Sequence, residues 1–192
     1  MIYLASASPR RQELLRQLGI EFEAIPSNIL EVRQTGETPA EYVARVARDK
    51  ARYVTRLVKD RELPSSPVLG ADTEVVLDGE ILGKPRDRDH GIALLRRLAG
   101  RAHDVLSAIC VVHRGGEHAT LSTSRVTFSP LLDTEIARYW DTGEPADKAG
   151  AYAIQGRAAA YIAHLEGSYS GVMGLPLHEL ADILKKIGSG GA

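Results

Sequence analysis

The sequence predicts one α/β domain built on a mixed β-sheet, and three observations carry that prediction. Short apolar stretches of strand length alternate with stretches whose apolar residues recur at helical spacing. Two turn signals, Asp78-Gly79 and Gly115-Gly116, each lie between neighbouring strand-like segments, so hairpins add antiparallel pairs to a sheet that helix-separated strands alone would make parallel. A chain of 192 residues, 44% hydrophobic and 26% charged, is long enough and ordinary enough in composition for a single sizeable core.

The elements follow in order. A strand over 2–6 runs into a helix at about 9–18, where Ser8 suits the N-cap, Pro9 the first helical position, and Gly19 the C-terminal stop. A strand follows around 21–25. Thr38 and Glu41 form a capping box around Pro39, opening a helix in which Tyr42, Val43, Val46, Ala47, Val54 and Leu57 recur at helical intervals to about residue 58. PVLGADTEVVLDGEILGKP then reads as a strand and a hairpin joining TEVVL to EILGK, with Asp72 at or near a strand end and Lys84 closing the second arm. A helix over about 88–98 stops at Gly100. HDVLSAICVVHR and HATLSTSRVTF flank Gly115-Gly116 as the second hairpin. Asp133 is the expected cap of a helix over about 134–142, and an amphipathic helix carrying Leu177, Leu180, Ile183 and Leu184 follows Pro176. GSGGA reads as a flexible tail over 188–192, leaving 1–187 as a single domain.

Composition excludes several functions. Lys plus Arg total 24 against 25 Asp plus Glu, so nothing draws the whole chain to nucleic acid or an anionic membrane. No apolar stretch approaches the roughly 20 residues needed to cross a bilayer, and a secretory leader is not evident, so a cytoplasmic protein is expected. Cys110, the single cysteine, sits in the apolar run SAICVV and reads as a small buried residue. Six scattered histidines lack paired ligand spacing.

Four stretches are candidates for chemistry. In SASPRR, Arg10 and Arg11 fall in a first helical turn, against the positive end of the helix dipole, at about 0.3–1 kcal/mol each. They are either solvated or part of an anion site in which free N–H groups, serine hydroxyls and guanidinium forks meet phosphate oxygens. Lys50, taken alone, reads as a surface lysine. Asp72 is either a cap for the next turn or a metal ligand and base. The turn-rich segment DKAGAYAIQG, 147–156, is either a loop packed on the sheet or a binding loop.

Four motifs occur together, in order and across nearly the whole chain: LASASPRRQELL, VARVARDKA, VLGADTEVVLDGEILGKP, and DKAGAYAIQG followed by GSYSGVMGLPLHE. With them the chain resembles the Maf family of nucleoside triphosphate pyrophosphatases. The resemblance implies an elongated α/β domain with a central mixed sheet and a cleft, related to inosine triphosphate pyrophosphatases. It also implies hydrolysis between the α- and β-phosphates, to a nucleoside monophosphate and pyrophosphate, with Mg²⁺ or Mn²⁺, by a homodimer. A triphosphate carries about four negative charges, which metal and cationic side chains must neutralise before water attacks.

Carried over by resemblance, Ser6, Arg10 and Arg11 contact phosphate and substrate, and Lys50 and Lys84 neutralise phosphate charge. Asp72 matches the family's proton acceptor. Because aspartate is a weak base at neutral pH, Asp72 is expected to act with a metal ion or to bind it. Glu31 lines up with an acidic residue proposed to hold the cation. Arg10, Thr73 and Gln155 match the branch acting on dTTP and UTP, and a glutamine amide, both donor and acceptor, suits the edge of a pyrimidine with a carbonyl and an N–H. Two other readings stand beside this one: a nucleotide-binding regulator of septum formation without turnover, and a purine-directed pyrophosphatase.

Overall fold

The computed structural model describes residues 1–114 and 116–189. In chain order the elements are β1 (Ile2–Leu4), α1 (Pro9–Gln17), β2 (Phe22–Ala24), α2 (Pro39–Asp60), β3 (Val68–Leu77), β4 (Glu80–Ile81), α3 (Arg88–Leu98), β5 (Ala102–His113), β6 (Gly116–Phe128), α4 (Asp133–Trp140), β7 (Ile162–Glu166), α5 (Tyr169–Met173) and α6 (Leu177–Ser189). Three 3-10 segments, Glu144–Asp147, Ala149–Ala151 and Arg157–Tyr161, fill the connection from α4 to β7.

These strands form one sheet in the order β2-β1-β3-β5-β6-β7, with β4 attached to β3. β1 runs parallel to β2 and to β3, and the remaining pairs are antiparallel, which gives the mixed sheet expected from two hairpins. The β3–β4 turn has Asp78 at φ 53° and Gly79 at φ 78°, the pair of positive φ values a two-residue hairpin requires. β5 and β6 pair from Ala102–Thr127 to His113–Gly116, but the Gly115 half of the expected turn lies outside the described residues.

Side chains of β3 alternate between two differently covered faces. Leu69, Ala71, Val75 and Leu77 pack against leucines and isoleucines of α1 and α6 at one end and of α3 and α4 at the other. Val68 and Val76 pack against α2, whose buried stripe is Tyr42, Val43, Val46, Ala47, Lys50, Ala51, Val54 and Val58. Lys50 thus lies on the apolar side of its helix.

The sheet is interrupted beside β3. β1 pairs with it only as far as Leu69, which accepts from the Ala5 N–H at 2.8 Å, and the β4 side begins where Val75 accepts from the Leu82 N–H at 2.9 Å. Between these points one edge of β3 faces a cleft. Asp72 therefore lies in the middle of a ten-residue strand, paired with Ala108, and not at its end; what ends there is the neighbouring strand. Lys84 likewise does not close a strand, because β4 stops at Ile81.

Local signals account for the other boundaries. Ser8 caps α1 and Thr38 with Glu41 boxes α2, the Thr38 N–H donating to Glu41 Oε2 at 2.8 Å. Asp133 is the first residue of α4 and not its cap: the Leu132 N–H donates to Glu135 Oε2 at 2.8 Å, and Asp133 instead accepts from Arg96 Nε at 2.7 Å. Cys110 is buried on β5, and burial pushes its thiol up to about 11, which makes it an inert core residue. α6 continues through Gly188 to Ser189, and residues 190–192 of the expected tail lie outside the described residues. Among the described residues no helix is long and apolar enough to cross a membrane.

Gly70 sets how closely α2 approaches the sheet. A Cβ there would stand 2.1 Å from the Ala47 carbonyl oxygen and 2.6 Å from the Ala51 nitrogen, both rigid helix backbone. Gly70→Ala must push α2 away from β3, and is expected to destabilise the protein by about 1–3 kcal/mol in urea unfolding. Because Lys50 rides on that helix, the same variant is expected to lose activity at temperatures where it remains folded.

Candidate active site

All nine residues singled out in the sequence, Ser6, Arg10, Arg11, Glu31, Lys50, Asp72, Thr73, Lys84 and Gln155, line one cleft of about 740 Å³. It opens at the unpaired edge of β3, so groups from both sheet faces meet there. From the face under α2 come Asp72 and Glu74. From the other come Thr73 and Val75, beside Val105, Tyr152, Ile154 and Met173. One side of the cleft is therefore charged, and the other largely apolar with Gln155 exposed at its rim.

On the charged side Lys50 Nζ bridges two carboxylates, donating to Asp72 Oδ1 and to Glu31 Oε2 at 2.8 Å each. Lys50 is 7% exposed and Asp72 4%, so the pair is buried and survives through mutual neutralisation. Glu31 comes from the loop between β2 and α2, which Tyr42 holds by donating its hydroxyl to the Glu31 carbonyl at 3.2 Å. Asp72 Oδ2 and Glu74 Oε2 are buried without a hydrogen-bond partner among the described residues. Two carboxylate oxygens in that condition beside a cleft are sites for a cation or a proton.

Glu74 was not anticipated. In TEVVL it reads as the polar face of a half-exposed strand, and in the structure it is partly buried on the strand face that packs against α2. Burial raises its pKa to about 7, with the charges of Asp72 and Glu31 acting in the same direction and those of Lys50 and Lys84 against. Between the ordinary 4.5 and about 7 the folded protein holds a proton that the unfolded chain has released, so this group lowers stability as pH rises through that window. Glu74→Gln removes the penalty. Urea titrations should show a gain on the order of 1–3 kcal/mol near pH 8 and none near pH 4.

The first turn of α1 forms the opposite wall. Arg11 is partly buried and anchored at three points: its Nε donates to the Gly174 carbonyl at 2.8 Å, Nη1 to Ser6 Oγ at 3.3 Å and Nη2 to Thr73 Oγ1 at 3.4 Å. It acts as a strut tying α1 to β3 and to the turn after α5. Ser6 Oγ also accepts the Ser8 N–H at 3.2 Å, so both its acceptor positions are used and its O–H remains as donor. Thr73 is fixed by a 2.8 Å hydrogen bond with Ser107 Oγ. Arg10 and Lys84 enter no ion pair among the described residues, although Asp147 faces Arg10 closely enough to offset part of the effect of burial on its pKa. Together with Arg11 they are the cleft cations that no carboxylate pairs among the described residues.

A cleft opening at the unpaired edge of a sheet strand, lined by cations that no carboxylate pairs and by carboxylate oxygens without a hydrogen-bond partner among the described residues, defines an α/β protein suited to a polyanionic ligand. The comparison with families narrows this: the model for the Maf-like protein family matches residues 1–187, and the chain belongs to that family. Its relatives agree. A Dechloromonas aromatica protein named dTTP/UTP pyrophosphatase is 49% identical over 195 residues, covering 97% of each chain. Proteins of the same name from Alkalilimnicola ehrlichii and Cupriavidus pinatubonensis are 54% and 52% identical, covering 95% and 96% of this chain and 91% and 96% of their own.

Proposed function

We propose that this protein hydrolyses dTTP and UTP to the nucleoside monophosphate and pyrophosphate, with modified pyrimidine nucleotides as a further substrate class, and so clears noncanonical nucleotides. The observation that carries the reading is the meeting, in one cleft, of the free cations Arg10 and Lys84 with the partnerless oxygens of Asp72 and Glu74. The names of relatives about half identical over nearly the full chain support the substrate.

In this reading Arg10, Arg11, Lys84 and the Ser6 hydroxyl hold phosphate oxygens. Water attacks the α-phosphorus, a new P–O bond forms, the bond to the bridging oxygen breaks, and pyrophosphate leaves with the electron pair. Asp72 Oδ2 takes the proton from the attacking water, while Lys50 keeps Oδ1 and the Glu31 carboxylate fixed. Thr73 and Gln155 meet the base, whose ring lies on the apolar side.

The donor set fits a divalent cation. Among the described residues no three acidic, histidine or cysteine side chains converge into a protein cage. Mg²⁺ commonly takes one or two carboxylates and completes its shell with water and substrate phosphates, so one or two of the Glu31, Asp72 and Glu74 carboxylates would hold it. When bound, the ion neutralises phosphate charge. The proposal also carries a cytoplasmic homodimer.

The test is a panel of dTTP, UTP, CTP and ITP with Mg²⁺ or Mn²⁺ and product analysis. Pyrophosphate with UMP is the expected outcome. Orthophosphate with UDP overturns the cleavage position, preference for ITP overturns the pyrimidine assignment, and binding without turnover returns the protein to a regulatory role.

A further inference from the structure

The turn that presents Gln155 is held by two side chains outside the cleft. The Gly156 N–H donates to the Ala153 carbonyl at 3.0 Å, closing a turn with Ile154 and Gln155 at its apex. On the entering side, the Ala153 N–H donates to Tyr139 Oη at 3.1 Å. On the leaving side, the Arg157 N–H donates to Glu144 Oε2 at 3.0 Å. The two anchors are themselves joined, because the Tyr139 hydroxyl donates to Glu144 Oε1 at 2.7 Å.

Every hydrogen bond in this set has one direction. Tyr139 Oη accepts from backbone and donates to carboxylate, and Glu144 can only accept. Burial, and then the bond to Glu144, raises the Tyr139 pKa above its ordinary value, so the hydroxyl keeps the proton that the arrangement needs. Tyr139 is 2% exposed on α4, in the core cluster with Phe128 and Ile136, so its hydroxyl is a fixed point. Glu144 opens the 3-10 segment that leads to Asp147 and Lys148. Gly156 makes room for it: a Cβ at that position would stand 2.3 Å from Glu144 Oε2. The glycine after the glutamine thus allows the carboxylate to reach past it to the Arg157 N–H.

We propose that Tyr139 and Glu144 are positioning residues that bracket the Gln155 turn and thereby set discrimination among nucleobases, without touching the nucleotide. This rests on the reading of Gln155 as the group that meets the base. The bracket fixes both backbone flanks of an exposed side chain, which limits the positions its amide can take. A glutamine free to shift would hydrogen-bond to cytosine and uracil edges alike, since its amide carries both donor and acceptor.

The experiment compares Tyr139→Phe, which deletes one oxygen, and Glu144→Gln with the parent protein and with Gln155→Ala. The readouts are kcat and KM for UTP and CTP, together with competitive inhibition by inorganic tripolyphosphate, which engages only the phosphate wall. Thermal melting establishes that each variant is folded at the assay temperature. The UTP-to-CTP ratio of kcat/KM should fall about five- to tenfold in both bracket variants, the size of one misplaced neutral hydrogen bond. The fall should lie in KM for UTP, with tripolyphosphate inhibition within about twofold of the parent.

An unchanged ratio in the folded bracket variants, with a lowered one in Gln155→Ala, overturns the bracket while leaving Gln155 in its role. A ratio lowered in the bracket variants but not in Gln155→Ala overturns the assignment of Gln155. Equal losses for every substrate, with weakened tripolyphosphate inhibition, overturn the positioning role in favour of a general disturbance of the cleft.

Discussion

Asp72→Asn is expected to lower kcat for pyrophosphate release from UTP by about 10²-fold or more while leaving the fold and KM nearly unchanged. The two carboxylate oxygens have different work. Oδ1 is taken by Lys50 at 2.8 Å, and Oδ2 is buried at the cleft with no hydrogen-bond partner among the described residues. Asparagine has the same shape and still offers an oxygen to Lys50, so the structural half of the contact persists. It cannot take a proton from water and is a poor ligand for a hard cation, so the chemical half is lost. Initial rates at saturating Mg²⁺ measure this directly. Turnover equal to that of the parent removes Asp72 from the reaction and leaves Glu74 as the partnerless carboxylate on that face.

Much of this site could be read from the sequence, and the exceptions have physical causes. The caps at Ser8 and Thr38 and the Asp78-Gly79 turn were legible because they depend on contacts within a few residues. Asp72 was misplaced because a polar residue after an apolar run looks like a strand end; the actual event is that β1 stops pairing while β3 continues, which no property of β3 itself encodes. Lys50 carried a signal that a single-residue reading passes over. It falls on the stripe Val43, Ala47, Lys50, Val54, where a lysine must find a buried partner. Arg11 shows the reverse: its place in a first helical turn is a local signal, whereas its contacts with the Gly174 carbonyl, Ser6 and Thr73, which leave its charge unpaired by any carboxylate among the described residues, come only from the fold. Glu74 and the Tyr139–Glu144 bracket depend on elements brought together by the fold, and local periodicity says nothing of them.

Lys50→Met is expected to be the most destabilising of these substitutions, by about 3 kcal/mol, because it strands Asp72 as a buried carboxylate with no counter-charge. Methionine nearly matches the lysine stem in volume and suits the apolar stripe of α2, so packing is kept and the loss is electrostatic. The double variant Lys50→Met/Asp72→Asn separates the contributions: with no charge left to strand, most of the stability should return, while activity should stay as low as in Asp72→Asn alone. Urea midpoints at neutral pH and pyrophosphate release from the same samples measure both. A single Lys50→Met variant as stable as the parent at neutral pH would mean that water entering the cleft already solvates Asp72, and that the lysine is held there for phosphate binding and not for the carboxylates it bridges.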